Sequence, residues 1–417
     1  MKGEMSDLSG PVRASERIPT LDIVRGFALL GILIMNMPGF AASFYVEADG
    51  SHLWAGALDQ RAEQVRDMLF SGKFNSMFSL LFGIGFTIQL KRMLERDPVH
   101  GLSLYVRRLL VLLAFALVHC LVLWTGDVLH IYVILGFGLL LIRRLPDRSV
   151  VAIIIALVCY PAVSGALRLV VMTPERVVQA VRDAQAWEAS NNLAYGHGSF
   201  LDAAREHTRE MIHAYTNPWM LWGMLGFYVQ MATTMLMGFL IGRSGWVRRI
   251  PELMPSVKRL QWWALALGLG CSLVFGIVGE YTRAPGPSLL KILVSVTYVL
   301  SRLGMMGFYV LTIVRLAQLP DWQRRFGPIA TAGRMPLTNY LMQTLIATAL
   351  FYGWGFGLWG KVGPALQLLV ALAIYFLIQV PLSALWLRHF EYGPLEYVWR
   401  LGTYRRRAAQ PVVAATG

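Results

Sequence analysis

Thr20-Leu-Asp-Ile-Val-Arg-Gly-Phe-Ala-Leu-Leu-Gly-Ile-Leu-Ile-Met-Asn36 is the stretch on which the fold of this chain turns. The apolar run that contains it, 21–44, exceeds the roughly 20 residues a helix needs to cross a hydrocarbon core of about 30 Å. It is also longer than the apolar region of a signal peptide, so it is expected to stay in place as a membrane helix. The rest of the chain agrees with this reading. Of its 417 residues 56% are hydrophobic and only 15% are charged, against roughly 25% charged in soluble domains. That composition excludes a set of soluble domains, a disordered or collagen-like chain and a nucleic-acid-binding module. With 38 Lys and Arg against 24 Asp and Glu, the net charge of +14 finds its partner in the anionic face of a lipid bilayer.

Working outward, about ten apolar segments of spanning length follow one another: 21–44, 74–90, 104–124, 128–142, 150–172, 218–241, 260–278, 289–313, 337–354 and 364–387. The second and fourth are short, and the second can be extended backwards through Val65 to Leu69. The fold class is therefore all-α, a polytopic bundle with a helical external loop. Most Lys and Arg fall on alternate connections, such as Lys91, Arg92, Arg96, Arg143, Arg144, Arg248, Arg249, Arg324 and Arg325. The positive-inside rule then puts both termini in the cytoplasm, as an even number of spans requires. Lys2, Arg13, Arg17 and Arg405 to Arg407 in the two tails point the same way. The organisation reads as a cytoplasmic tail (1–20), a first membrane half (21–172), an external cap (173–217), a second membrane half (218–390), and an interfacial helix with a basic tail (391–417). In the cap, Val177, Val178, Val181, Ala184 and Trp187 have helical spacing and precede a Gly196-His-Gly198 turn. Cys120, Cys159 and Cys271 lie inside apolar runs with no CxxC pair, so neither a disulfide framework nor a metal site is expected.

Ionisable and amide side chains inside spans are costly and are candidates for function. Asp22, Arg25 and Asn36 share one face of the first span at 100° per residue, with Asn36 about 21 Å beyond Asp22. Asp22 and Arg25 alternatively form an interfacial cap and ion pair. His119 lies near the outer end of the third span, and Asp127 follows in a Thr125-Gly-Asp127 turn with His130 beyond it. A histidine beside a carboxylate can act as a general base; the bland alternative is a histidine satisfied by a neighbouring helix. Arg302 is in mid-span and cannot lose its charge, so it must face an anion or carbonyls, with Glu280 one candidate partner. Asn339 and Gln343 are one turn apart, a spacing that also suits plain interhelical hydrogen bonds. By depth, Asp22, Arg25, Arg302, Arg334, Asn339 and Gln343 belong to the cytoplasmic half, and Asn36, Lys73, His119, Asp127 and Glu280 to the external half. Topology accounts for most of the cations but not for Arg25, Lys73 and Arg302. The segment after the last span, with Tyr392, Tyr397, Trp399 and Arg400, suits an interfacial anchor.

Five motifs in order, the Thr20 to Asn36 stretch, Gly72-Lys-Phe-Asn-Ser-Met-Phe-Ser-Leu-Leu-Phe-Gly-Ile-Gly85, Gly126-Asp-Val-Leu129, Gly333-Arg-Met-Pro-Leu-Thr-Asn-Tyr-Leu-Met-Gln343 and Gly393-Pro-Leu-Glu-Tyr-Val-Trp-Arg400, together resemble the YeiB family of bacterial inner-membrane proteins. That family is of unknown function. The Leu-Asp-x-x-Arg-Gly opening of the first span in turn resembles the transmembrane acyltransferase superfamily that includes heparan-α-glucosaminide N-acetyltransferase. Those enzymes move an acyl group from cytoplasmic acyl-CoA to an acceptor beyond the membrane. The resemblance implies a multi-pass inner-membrane protein using acetyl-CoA or another acyl-CoA, no metal, and an envelope glycan or small amine as acceptor, with a homodimer as one assembly it allows. In that scheme His119 with Asp127 is the base, Asn36 an oxyanion donor, and Arg25, Arg302, Arg334, Asn339 and Gln343 hold the CoA. Related O-acetyltransferases tend to carry a histidine where this chain has Asn36, which leaves His119 or His52 as the base. A transporter or flippase that uses the same charges as a relay is the competing expectation.

Overall fold

In the computed structural model, which describes residues 18–404, the chain is helical throughout with no strand among the described residues. The tail cations counted above, Lys2, Arg13, Arg17 and Arg405 to Arg407, lie outside that range. The helices are α1 (Pro19–Ala41), α2 (Ala57–Leu69), α3 (Lys73–Arg96), α4 (Gly101–Val118), α5 (Leu129–Ile142), α6 (Asp147–Val171), α7 (Pro174–Gly196), α8 (Phe200–Thr216) and α9 (Pro218–Ser244). They continue as α10 (Met254–Gly279), α11 (Leu289–Leu316), α12 (Pro320–Arg325), α13 (Gly327–Arg334), α14 (Pro336–Phe351), α15 (Pro364–Ala373), α16 (Val380–His389) and α17 (Pro394–Tyr404). Two π turns interrupt the regular winding, His119–Leu123 after α4 and Ile374–Gln379 between α15 and α16.

Among the described residues eight helical stretches are long and apolar enough to cross a membrane, so this is a multi-pass membrane protein. The segments read as the fourth and ninth spans are shorter helices of 14 and 16 residues. At 1.5 Å per residue they measure about 21 and 24 Å, less than the hydrocarbon thickness. Both are well buried on the faces that carry Tyr132, Tyr340, Thr344 and Thr348. Such short helices are tolerated where protein rather than lipid surrounds their ends. The second span does not run back through Val65 to Leu69 as one helix. Gly72 adopts φ +70° and separates α2 from α3, a conformation that disfavours residues with a Cβ.

The central element is α1, with 67% of its span buried, whereas α6 buries only 6% and is left uncovered by protein along most of its length. Close approach explains how α1 is seated. A Cβ at Gly26 would run into the Ile329 carbonyl, and one at Gly333 into the Asp22 carbonyl, so α1 and α13 pack backbone to backbone as small-residue helix pairs do in membranes. The loop between α6 and α9 folds as two helices. Thr173 caps α7, and Ser199 with Asp202 forms a reciprocal capping box on α8. These helices cover one end of the bundle: Gly353 N–H donates to the Tyr195 carbonyl and the Trp359 indole to Asn192 Oδ1. This is called the cap end below.

Candidate functional site

The His119–Leu123 π turn is closed by Trp124 N–H donating to the His119 carbonyl at 2.8 Å. Inserting one residue into the helical winding rotates the following side chains, which is why π turns recur at functional sites. Here the turn leaves both His119 and Cys120 inside the protein. Trp124 then packs on Phe40, with ring centroids 4.1 Å apart, and donates to the Gly39 carbonyl at 3.2 Å. The tight Thr125-Gly126 turn brings Asp127 back under His119.

Asp127 holds two histidines at once. Oδ1 lies 2.8 Å from His119 Nδ1, and Oδ2 lies 2.7 Å from His130 Nδ1 and 2.9 Å from the His130 N–H. Burial alone would push this carboxyl up, but the hydrogen bonds from His119 and His130 hold it well below the usual carboxylate range. A carboxylate can only accept, so each Nδ1 carries the proton and each Nε2 is an acceptor in the neutral ring. His119 Nε2 therefore takes the Thr344 hydroxyl at 2.8 Å, and His130 Nε2 takes the Tyr215 hydroxyl at 2.7 Å. Tyr215 bonds in turn to Tyr228. Carboxylate, imidazole and hydroxyl line up as orienter, base and proton donor, and all of His119, Asp127 and Thr344 are buried.

A second polar layer lies over this one, in the cap. Glu210 accepts from Tyr195 and Asn191 at 2.8 Å each and from Thr125 at 2.9 Å. Asn191 also reaches Ser43 at 2.9 Å, and Ser43 borders a cavity of about 320 Å³ between α7 and the 357–361 loop. Burial raises the Glu210 carboxyl, and it lowers His207, whose Nδ1 is 2.9 Å from Tyr195, to about 3. Thr125 thus joins the cap layer to the Asp127 turn.

The other residues picked out by sequence separate into different places. Asn36 is half-buried and makes no side-chain hydrogen bond among the described residues; it lies one turn before the Gly39–Trp124 contact. Arg25 pairs with Asp22 at 2.6 Å, and Arg334 donates to the Glu391 carbonyl. Asn339 donates to the Ala332 carbonyl and to Ser383, both at 3.0 Å. Gln343 donates to the Leu29 carbonyl at 3.2 Å and to Gln379 at 2.9 Å, while Gln379 donates back to the Asn339 carbonyl at 2.8 Å. These amides staple α1, α13, α14 and the second π turn together. Arg302 does not meet them. Its Nη1 donates to Ser76 at 2.7 Å and to the Gln230 carbonyl at 3.3 Å, on the same side of the bundle as Lys73. Lys73 and Arg302, placed by sequence in opposite halves, are therefore neighbours, because α3 begins after the Gly72 break, which lies against Arg302 and Tyr298 in the middle of α11. Glu280 is taken by Arg283 at 2.8 Å and is not the partner of Arg302. His52 lies with Glu47 and Glu63 in a group whose ligand atoms fall within 4.8 Å of one another, but Glu47 pairs with Arg283 and Glu63 with Arg66. The five residues assigned to CoA thus do not converge on one cavity.

Residues 241–406 match a family model described as a protein of unknown function (DUF418). Over nearly all of both chains, 99% of this one and 100% of the other, the sequence is 30% identical to the uncharacterised protein YxaH of Bacillus subtilis. It is also 30% identical to the uncharacterised protein YeiB of Escherichia coli, across 96% of this chain and 99% of that one. The chain belongs to the YeiB-like family. No solved structure matches it. For a YeiB-like protein the matched region matters: it contains Arg302, Arg334, Asn339, Gln343 and Thr344 but not His119 or Asp127, so the site is assembled from both sides of its boundary.

Several functional candidates escaped the sequence reading. Thr344 directly follows the Gly333 to Gln343 motif, 225 positions from His119. Glu206, His207 and Glu210 carried a usable signal, since with Ala203 and Met211 they occupy the positions i, i+3, i+4, i+7 and i+8 that α8 buries. Glu396 belongs to the motif read as an anchor. Its Oε1 accepts from the Leu337 and Thr338 N–H groups at 2.7 and 3.0 Å, and its Oε2 from the Thr338 hydroxyl at 2.6 Å, so it caps α14 from a distant helix. The anchor contacts are there as well: the Arg108 guanidinium stacks 3.7 Å from the Trp399 ring, whose indole donates to the Arg108 carbonyl.

Proposed function

We propose that this protein is a membrane-embedded acyltransferase in which His119, oriented by Asp127, is the general base. One observation carries the reading: a buried carboxylate fixes the His119 tautomer while the opposite ring nitrogen meets a hydroxyl at 2.8 Å. Buried carboxylates that merely cap a turn have no need to orient an imidazole toward a hydroxyl. The acceptor's hydroxyl or amine takes the place of the Thr344 hydroxyl at His119 Nε2 and attacks the carbonyl of an acyl thioester. His119 accepts the proton as the new C–O or C–N bond forms, and Asp127 stabilises the resulting imidazolium. Collapse of the tetrahedral species breaks the C–S bond, and the proton on His119 passes to the departing sulfur. Asn36, with its amide uncommitted, is the donor we assign to the oxyanion.

Acyl-CoA is the donor class this reading uses, with Arg25 and Arg334 the remaining candidates for its phosphates at the end opposite the cap. The cap cavity beside Ser43 is assigned to the acceptor, an envelope glycan or small amine. We also place the protein in the bacterial inner membrane with both termini cytoplasmic, a reading supported by the basic connections. The test is transfer of labelled acetyl from acetyl-CoA in proteoliposomes supplied with candidate acceptors. His119→Ala is expected to lower transfer by about 10²-fold or more and Asn36→Ala by about 10²-fold; full transfer by either variant refutes its role.

A second reading is favoured by a specific feature. Thr344, His119, Asp127, His130, Tyr215 and Tyr228 form an unbroken hydrogen-bonded series, which suits proton movement in a coupled transporter. Proton-driven flux without acyl transfer, lost in Asp127→Asn, would select it.

A further inference from the structure

Arg302 and Lys73 are buried cations with no carboxylate of their own. Arg302 is 1% exposed and Lys73 is fully buried, and neither forms an ion pair among the described residues. Arg302 uses Nη1 on two neutral acceptors, and its Nε has no partner among the described residues. Lys73 donates to the Asp67 carbonyl at 3.0 Å and stands 5.9 and 6.0 Å from the rings of Tyr298 and Phe275. The Asp67 carboxylate is already held by Arg66 at 2.9 Å. The two cations are kept together by Gly72, where a Cβ would collide with the Tyr298 hydroxyl, Gln230 and the Arg302 stem. The N-terminus of α3, which no side chain caps, adds its partial positive charge.

A cavity of about 360 Å³ borders Arg302, Gln230 and Tyr298. Its other walls are mostly apolar, including Leu157 and Pro161 of α6, Val229 of α9 and Phe275 of α10, with Ser295 of α11 also at the wall. α6 and α10 are the two spans least covered by protein, with 6% and 17% of their length buried, so the cavity adjoins the lipid side of the bundle. Arg302 borders these apolar walls directly, and Lys73 does not itself line the cavity but stands next to the Phe275 and Tyr298 rings that do; desolvated positive charge in such surroundings needs an anion that brings an apolar remainder with it. A cavity of this size holds a headgroup and the start of its chains, not a whole lipid.

We propose that Arg302 and Lys73 form a binding site for the phosphate of a membrane phospholipid, with the headgroup in the cavity and the acyl chains leaving along α6. Arg302 supplies the directional donors and Lys73 the second charge. The site is separate from the His119 centre and does not depend on the acyltransferase reading.

The experiment uses the full-length protein in uncharged detergent and follows thermal unfolding while dioleoylphosphatidylglycerol, dioleoylglycerol or inorganic phosphate is added. Phosphatidylglycerol is expected to raise Tm saturably by about 3 °C or more, and the other two additives to leave it unchanged. Arg302→Gln is expected to weaken the phosphatidylglycerol response at least tenfold in concentration, the loss of a charge-assisted hydrogen bond. Ser295→Phe, which fills the cavity and leaves both cations in place, is expected to abolish the response while keeping Tm in detergent alone; it decides the matter if the Arg302 variant does not fold. An equal shift with dioleoylglycerol would mean that only the apolar walls matter, and an equal shift with inorganic phosphate would mean a free-anion site. Either result, or an unchanged response in Ser295→Phe, overturns the proposal.

Discussion

Asp127 and Arg302 are both charges buried in the bundle, and the protein treats them in opposite ways. Asp127 is met by two imidazoles and a backbone N–H, so its charge is answered from within the chain. Arg302 is met by one hydroxyl and one carbonyl, and its Nε by nothing among the described residues. A charge whose partners are complete is built to hold other groups in position. A charge whose partners are missing is built for something that arrives from outside.

The largest effect expected from this contrast is at Asp127. Asp127→Ala leaves His119 and His130 without their common acceptor, and a broken buried pair costs about 3–5 kcal/mol. Denaturant or thermal unfolding measures that cost, and transfer assays on the milder Asp127→Asn read the loss of orientation separately. A cost below about 1 kcal/mol would show that the network is not the structural centre drawn above.

Arg302→Met should go the other way. Removing a charge that has only neutral acceptors and no ion pair among the described residues relieves its burial penalty, so in lipid-free detergent the variant is expected to be as stable as the parent or more so, by up to about 2 kcal/mol. If it were instead destabilised as strongly as Asp127→Ala, the distinction between complete and incomplete charges would fail.

How much of this could be read from sequence follows the same division between local and distant. The spans were legible because hydropathy over about 20 residues is a local property, and the His119–Asp127 pair because eight positions and a Gly turn separate its members. Thr344 was not legible as the hydroxyl facing His119, since nothing in hydropathy says which helices become neighbours. Lys73 and Arg302 were assigned to different depths for a related reason: the Gly72 break sets where α3 starts, and a composition reading counts through it. The Glu206, His207 and Glu210 stripe escaped the sequence reading although its spacing is helical, because a cap helix is expected to bury apolar residues and expose charged ones.

Glu396 is a structural carboxylate of intermediate weight. Glu396 answers the free N–H groups at the start of α14, the helix that carries Thr344, so it fixes one partner of His119 from the far end. Glu396→Ala is expected to cost about 2 kcal/mol, at the upper end for a lost helix cap. Glu396→Gln should recover most of that, because the amide oxygen still accepts. Thermal unfolding of the two variants separates the cap from simple packing: equal losses would assign the effect to volume alone.

The smallest effect tests whether the cap layer belongs to the complete or the incomplete kind of charge. His207 is held neutral, with a folded value near 3 against about 6.5 when unfolded. The unfolded chain binds the extra proton first, so His207 contributes stability above about pH 6.5 that is lost as pH falls toward 3. Between pH 7.5 and 5.5 that loss is about 1 kcal/mol. Glu210 works against it. Burial raises its carboxyl, so the folded state takes up a proton before the unfolded one, and its contribution is present at low pH and declines as pH rises from the ordinary carboxylate value through the raised one. The parent should therefore show only a shallow decline in Tm on acidification, His207→Gln a shallower one, and Glu210→Gln a steeper one. If acidification to pH 5.5 affected all three alike, the cap residues would be titrating as exposed groups, and the hydrogen-bonded layer over Asp127 would not be a closed part of the site.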